Sequence, residues 1–177
     1  FGAIMLAIVN GQPRELQLLD ILKLFLEHRK EIVRRRTNFL LRKAREREHI
    51  LLGFQKALDN LDRVIELIRA AKNPKEARDS LIGEFDFSER QAQAIIELQL
   101  QRLTGMEQQK ILDELAEIQR RIAEYLEILA KEEKLKGVIA GEFKEIIKDF
   151  GDERRTQIVE DSGDINIEDL VQVEDMA

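Results

Sequence analysis

The sequence predicts a mainly α fold: a long antiparallel coiled coil carrying a small helical globular dimerisation tip, with short strands at the chain ends. Three observations predict it. The 177 residues hold only two prolines, no Cys and no Trp, and 36% of them are charged while only 5% are aromatic, a balance that favours long helices. Two apolar seams at heptad spacing stand apart in the sequence, so the chain goes out along one helix and returns along another. Between the seams lies Ser88 to Glu107, SERQAQAIIELQLQRLTGME, which is too apolar to be a plain linker.

The elements follow in order. Ile4, Leu6 and Ile8 alternate with smaller residues, as in a short strand. Asn10-Gly11 tolerates positive φ at both positions and signals a hairpin turn. Arg14 to Leu18 reads as the return strand. Residues 1–19 therefore look like the edge of a larger sheet, and a chain that starts at Phe1 reads as a fragment of a longer protein.

Residues 20–72 read as the first long helix. No proline interrupts Asp20 to Ala71, the only glycine is Gly53, and Asp20 is placed to cap the start. Fifty-two residues at about 1.5 Å each would reach roughly 78 Å. The second half carries a seam at Leu51, Phe54, Leu58, Leu61, Ile65 and Ile68. The first half is less regular, with Leu24, Phe25, Ile32, Val33, Phe39, Leu40 and Ala44 among many cations.

Residues 73–105 form the expected tip. Asn73 caps a short helix, Pro74 takes its first position, and Glu76 completes a capping box. That helix should end near Gly83, and Phe85 and Phe87 should anchor the loop Glu84 to Phe87. Ser88 caps the next helix, with Gln91 in the capping-box position, and Gly105 ends it.

Residues 106–150 return with a seam at Ile111, Leu115, Ile118, Ile122, Tyr125 and Leu129, expected to face the outer seam of the first helix. After the charged patch Lys131 to Lys134 the pattern resumes at Leu135, Ile139, Phe143, Ile146 and Phe150. Gly137 and Gly141 are candidate bends, and Gly151 a C-cap. Residues 151–177 are a return segment. It holds a candidate strand, Gln157-Ile158-Val159, and a candidate helix, Ile167 to Val171, capped by Asn166.

Function is sought first in the tip. At 100° per residue, Ala92, Ile96, Leu100 and Leu103 form one apolar stripe, and Ala94, Ile95 and Leu98 form another on roughly the opposite side. A helix apolar on two faces is buried on two sides. Either a second copy of the chain covers one face, or the neighbouring helix Pro74 to Ile82 covers both. On the first reading the dimer interface comprises Phe87, Gln91, Ala92, Ile95, Ile96, Leu98, Leu100 and Leu103.

Charge supplies a second candidate surface. The net charge of −6 combines a local +6 over Arg29 to Glu48 with a local −8 over Glu142 to Asp175. Folding back should set Glu142 to Asp152 beside Arg34 to Arg47, so the blocks can neutralise each other. Alternatively, some of Arg34, Arg35, Arg36, Arg42, Lys43, Arg45 and Arg47 face a phosphate backbone, with Arg34, Arg35, Arg42 and Lys43 the leading candidates. The scarcity of aromatics argues against single-strand recognition.

Little in the sequence suggests catalysis. His28 and His49 lie about 31 Å apart along one helix and cannot share a metal. Tyr125, the only tyrosine, occupies a seam position. No Gly-rich phosphate loop, nucleophile–base set or metal-ligand spacing is present, so no catalytic, cofactor or metal residue is assigned. The longest apolar run, Ala3 to Val9, is too short to span a membrane. Together with the absence of Cys, this fits a cytoplasmic protein with no membrane partner.

Three stretches carry a family resemblance: Arg34 to Ala71 (RRRTNFLLRKAREREHILLGFQKALDNLDRVIELIRAA), Gln91 to Glu107 (QAQAIIELQLQRLTGME) and Gly151 to Leu170 (GDERRTQIVEDSGDINIEDL). Together they resemble the coiled-coil and exit-gate part of DNA gyrase A subunits, which belong to bacterial type IIA topoisomerases; the A-type chain of topoisomerase IV is the nearest relative. The resemblance implies a homodimer joined through the tip. It also implies a partner, the gyrase B subunit, with two A and two B chains assembled. Such a complex passes one double-stranded DNA through a transient break in another, using ATP and Mg through the B subunit. The family's catalytic tyrosine, its neighbouring arginine and the metal site have no counterpart here. Two rival readings are a structural clasp of the chromosome-maintenance hinge type and the coiled-coil arm of a tRNA synthetase.

Overall fold

The computed structural model describes residues 4–97 and 105–157. The chain divides after Glu142 into two compact units.

The first unit opens with a hairpin. Strands β1 (Leu6–Val9) and β2 (Gln12–Glu15) pair antiparallel, from Leu6 opposite Glu15 to Val9 opposite Gln12. Asn10 and Gly11 have φ of 52° and 80°, the left-handed pair that a two-residue turn needs. The return strand starts two residues before the expected Arg14, because the turn takes only Asn10 and Gly11. Ile4, Leu6 and Ile8 share one face, which is exposed.

Helix α1 spans Leu18–Asp59. It starts at Leu18 with Gln17 as N-cap and no capping side chain. Asp20, the expected cap, lies instead in the first turn, where a carboxylate still favours the helix's positive end. The expected single helix also breaks, at Asn60. The Asn60 Nδ2 donates to the Lys56 carbonyl at 3.0 Å, the acceptor that its own N–H would use in an unbroken helix. The Asn60 N–H turns to the Ala57 carbonyl instead, at 3.3 Å. An Asn side chain competing for backbone partners is a recognised helix breaker. Helix α2 (Leu61–Ala70) then packs on α3 (Pro74–Phe85).

The start of α3 follows the sequence closely. The Glu76 N–H donates to Asn73 Oδ1 at 2.9 Å, and Pro74 takes the first position. The Glu76 carboxylate accepts from the Lys72 N–H at 2.9 Å, one residue upstream of a standard capping box. The helix runs past Gly83 to Phe85. Asp86, left-handed at φ 53°, ends it by donating its N–H to the Ile82 carbonyl. Phe85 therefore belongs to the last turn, with its ring centroid 5.5 Å from that of Phe87.

Helix α4 (Glu89–Glu97) packs on α1 and α3, and α5 (Gly105–Ala130) packs along α1. The α1–α5 pair is antiparallel: Arg47 meets Glu114, and Lys30 meets Glu132 just beyond the end of α5. The buried residues of α1 are Lys30, Val33, Thr37, Leu41, Ala44, Leu51, Gly53, Phe54 and Ala57. The expected pairing holds where the two seams begin, since Leu51 and Phe54 share a core with Leu115, and Ile111 and Ile118 pack against it, but it fails beyond that. From Glu114 onward the returning chain runs back along α1 towards Lys30, while Leu58 lies just before the break and Leu61, Ile65 and Ile68 lie beyond it. Phe25, Phe39 and Leu40, from the irregular first half, are exposed.

Arm and tip share one core. Leu51, Phe54 and Ala57 of α1 cluster with Val64 of α2, Leu81 of α3, Phe87, Ala92 and Ile95 at α4, and Leu115 of α5. Helix α6 (Glu132–Phe150) follows α5 with only Lys131 between. The backbone ladder continues across it, with Lys131 N–H on the Glu127 carbonyl and Leu135 N–H on the Lys131 carbonyl. The interruption therefore falls at the charged patch and not at Gly137 or Gly141.

In the second unit the end of α6 exposes Ile146, Ile147 and Phe150. The Gly151 N–H closes the helix on the Ile147 carbonyl at 2.7 Å, and a Cβ at Gly151 would collide with that oxygen. Ile158 onward, with most of the candidate strand and all of the candidate helix, lies outside the described residues. Among the described residues no helix is long and apolar enough to cross a membrane.

Leu51 is fully buried and its neighbour Leu52 is 41% exposed. Leu51→Ala should therefore cost about 2–5 kcal/mol, and Leu52→Ala less than about 0.5 kcal/mol. Urea unfolding of both variants, followed by circular dichroism, checks the contrast.

Candidate functional site

The tip is pinned to the arm at the start of α4. The Gln91 N–H donates to Ser88 Oγ at 3.2 Å, and the Ser88 N–H donates to Gln91 Oε1 at 3.0 Å. This reciprocal box satisfies two helix-end donors. The same two side chains reach α1. Gln91 Nε2 donates to the His49 carbonyl at 2.7 Å, and His49 Nε2 hydrogen-bonds Ser88 Oγ at 2.7 Å. One turn along α1, Gly53 leaves room for Gln91: a Cβ there would lie 2.8 Å from Gln91 Cγ. Lys56 adds a further tie, donating to the Phe85 carbonyl while its ammonium sits 5.5 Å from the Phe87 ring centroid.

The expected interface residues separate into three groups. Phe87, Ala92 and Ile95 are buried in this chain's own core, so these three, expected to meet a second copy, are covered from within. Gln91, Ala94 and Ile96 are half-buried, with Ala94 and Ile96 packed against that core. Leu98, Leu100 and Leu103 lie outside the described residues. The inward direction of α4 falls between the two predicted stripes, so Ala92 of one and Ile95 of the other point the same way. Over Glu89 to Glu97 the outer face is Arg90, Gln93 and Glu97, all exposed. Helix-wheel angles alone yield two stripes; nothing in them tells which bisector meets α1.

The basic run proves to be mostly paired. Arg47 donates Nε and Nη2 to the two carboxylate oxygens of Glu114, both at 2.7 Å. Arg29 and Arg36 share Glu142. Lys30, nearly buried, bonds Glu27 at 2.7 Å and Glu132 at 3.0 Å. Arg35 pairs with Glu31 and Lys43 with Glu46. Among the described residues, Arg34, Arg42 and Arg45 have no carboxylate partner. Of the four leading backbone-contact candidates, Arg35 and Lys43 are thus engaged within α1, while Arg34 and Arg42 are not.

These pairs shift their acids. The Arg47 guanidinium holds the Glu114 carboxyl below its ordinary 4.5. Arg36, and with it Arg29, does the same for Glu142 against partial burial. Tyr125 lies on α5, half-buried, as its seam spacing predicts.

Residues 1–144 match the family model for the A subunit of DNA gyrase/topoisomerase IV. The chain belongs to that family. The DNA gyrase A subunit of Mycolicibacterium smegmatis is 49% identical over 176 residues, covering 99% of this chain and 21% of the relative. Those of Campylobacter jejuni and Mycobacterium tuberculosis are 51% and 48% identical over the same length, with 20% and 21% of the relatives covered. The chain thus spans about a fifth of the length of these curated relatives. Membership in the gyrase/topoisomerase IV family displaces both the chromosome-hinge clasp and the synthetase arm.

Two outcomes are expected. Gly53→Leu should force Gln91 off the His49 carbonyl and loosen the tip. Amide hydrogen exchange should then accelerate over Glu89 to Glu97 while the Lys30 to Ala44 region of α1 stays protected. For Glu114 and Glu142, depressed folded values mean stability that is present above the unfolded value and lost as pH falls through the folded one. Thermal stability should therefore decline below about pH 4.5, and Glu114→Gln should remove part of that acid dependence.

Proposed function

We propose that this chain is the coiled-coil arm and exit gate of a type IIA topoisomerase A subunit, of the gyrase type. In this reading two copies join through their tips at the far end of their arms. The join keeps the subunits together while a transported duplex passes, and it opens to release that duplex. The parent enzyme, with two A and two B subunits, would pass one DNA duplex through a transient double-strand break in another. ATP and Mg would act through the B subunit, and DNA cleavage would use parts of the A subunit other than this arm. A cytoplasmic, nucleoid-associated location accompanies the reading.

The observation that carries it is the pinned tip on a paired arm. Helix α4 is fixed to α1 by two side chains and one glycine cradle, so its position follows the arm closely. A gate needs that property, because separation of two tips must translate into separation of two arms. On this proposal Ile96 lies at the edge of the contact with the second copy. The contact continues to Leu98, Leu100 and Leu103, which are assigned from their apolar spacing in the sequence.

Sedimentation equilibrium should give twice the chain mass of 20.6 kDa at micromolar concentration; a monomer there sinks the proposal. Leu98→Glu should give a monomer of nearly unchanged helicity. Ile95→Glu should instead melt the tip, since an unpaired charge in a buried site costs about 3–5 kcal/mol. In the full-length enzyme Leu98→Glu should impair strand passage. If both variants stay dimeric and fully helical, the dimer contact is not made by this segment.

A further inference from the structure

Within the basic run, the three arginines left without carboxylates among the described residues are not scattered. Arg34, Arg42 and Arg45 recur at helical spacing with Asn38 and His49. Each lies one residue on from an inward position: the buried Val33, Thr37, Leu41 and Ala44, and the half-buried Glu48. Asn38, Arg42, Arg45 and His49 line one groove, and Arg90 of α4 joins them from the tip. Among the described residues Arg90 also has no carboxylate partner. From Arg34 to Arg45 the stripe runs about 16 Å along the axis.

Arg14, Arg69, Arg120 and Arg154 also lack a carboxylate partner among the described residues; what sets Arg42, Arg45 and Arg90 apart is that they share one groove. Three carboxylates near the stripe are held by other cations. Glu46, in the same groove, pairs with Lys43. Glu27 and Glu31, in the cavity beside Arg34, pair with Lys30 and Arg35. The four cations of the stripe are all arginine, the side chain whose planar fork matches phosphate oxygens.

We infer that Arg34, Arg42, Arg45 and Arg90 form a phosphate-tracking stripe that holds the backbone of double-stranded DNA alongside the arm. The inference rests on the proposed DNA-passing role only for the identity of the polyanion. A straight helix with charges along one line suits a stiff duplex, which carries about one charge per 1.7 Å. Base stacking has little to work with here. The Phe39 ring lies under the Arg42 guanidinium at 5.5 Å, so its covered face is not offered to a base. The stripe would therefore be indifferent to sequence and sensitive to salt.

The test is fluorescence anisotropy of a short labelled duplex against the 177-residue chain across a salt series. The quadruple change Arg34→Gln, Arg42→Gln, Arg45→Gln and Arg90→Gln should weaken binding by more than about tenfold and flatten the log affinity–log salt slope by roughly 3 to 4. The control, Arg35→Gln with Lys43→Gln, removes paired cations from the same helix and should cost less than about twofold. Failure of the wild-type chain to bind the duplex at low salt overturns the inference, as does a control loss proportional to the charge removed. Tighter binding of a single strand of the same length overturns the duplex assignment. Sedimentation mass is read in parallel. A dimer that ignores DNA defeats the stripe and leaves the gate standing, whereas a monomer that binds DNA through the stripe does the reverse.

Discussion

Leu51 stands where arm and tip meet, and the arrangement around it depends on that one buried position. Its cluster draws on α1, α2, α3, α4 and α5. The tip therefore has no separate core of its own. Truncating a shared core residue is felt by every element that borders the hole, because packed interiors relax only partly around a cavity. The tip is for the same reason a poor candidate for independent folding: α2, α3 and α4 together supply Val64, Leu81, Ala92 and Ile95, while Leu51, Phe54, Ala57 and Leu115 come from α1 and α5.

Away from that core, specificity in the α1–α5 seam comes more from polar residues than from bulk. Thr37 and Lys30 sit on the buried face of α1, where a strict coiled coil would place aliphatics. Lys30 is tolerated because Glu27 and Glu132 both accept from it, which also keeps its ammonium charged beyond its ordinary range. Ion pairs of this half-exposed kind add little stability. They do penalise misregistered pairings, since a slip of one turn would strand Lys30 away from Glu132 and Arg47 away from Glu114.

Legibility followed the scale of the interaction. Local chemistry was readable: the Asn10-Gly11 turn, the Asn73 and Ser88 caps, Gln91 in its box and the Gly151 stop all depend on residues within one helical turn of each other. The interruption at Asn60 was not read, although Asn is a visible breaker, because a clean 3-4 apolar spacing ran straight through it. The seam partner is legible only at its start, for a related reason. Leu51 to Ile68 advertised itself with large aliphatics, of which Leu51 and Phe54 do meet Leu115, while the rest of the contact face of α1 interleaves Val33, Leu41 and Ala44 with Lys30 and Thr37, which blur its hydrophobic pattern. For the basic run, the neighbourhood was legible but the pairing was not. Which cations stay free is settled by the axial offset of α1 against α5 and the start of α6, a tertiary quantity.

Gly53 and Gln91 together act as an alignment key. The amide of Gln91 grips a backbone carbonyl, and every residue of α1 offers one, so hydrogen bonding alone could not choose where along the helix the tip docks. The missing side chain chooses. Gly53 is the one glycine of α1, and a displacement by a helical turn would bring Gln91 against the Cβ of His49 or Ala57. A single absent methyl group thus converts a contact that would fit many positions into one that fits a single notch, and the length of arm between tip and root is set to the residue.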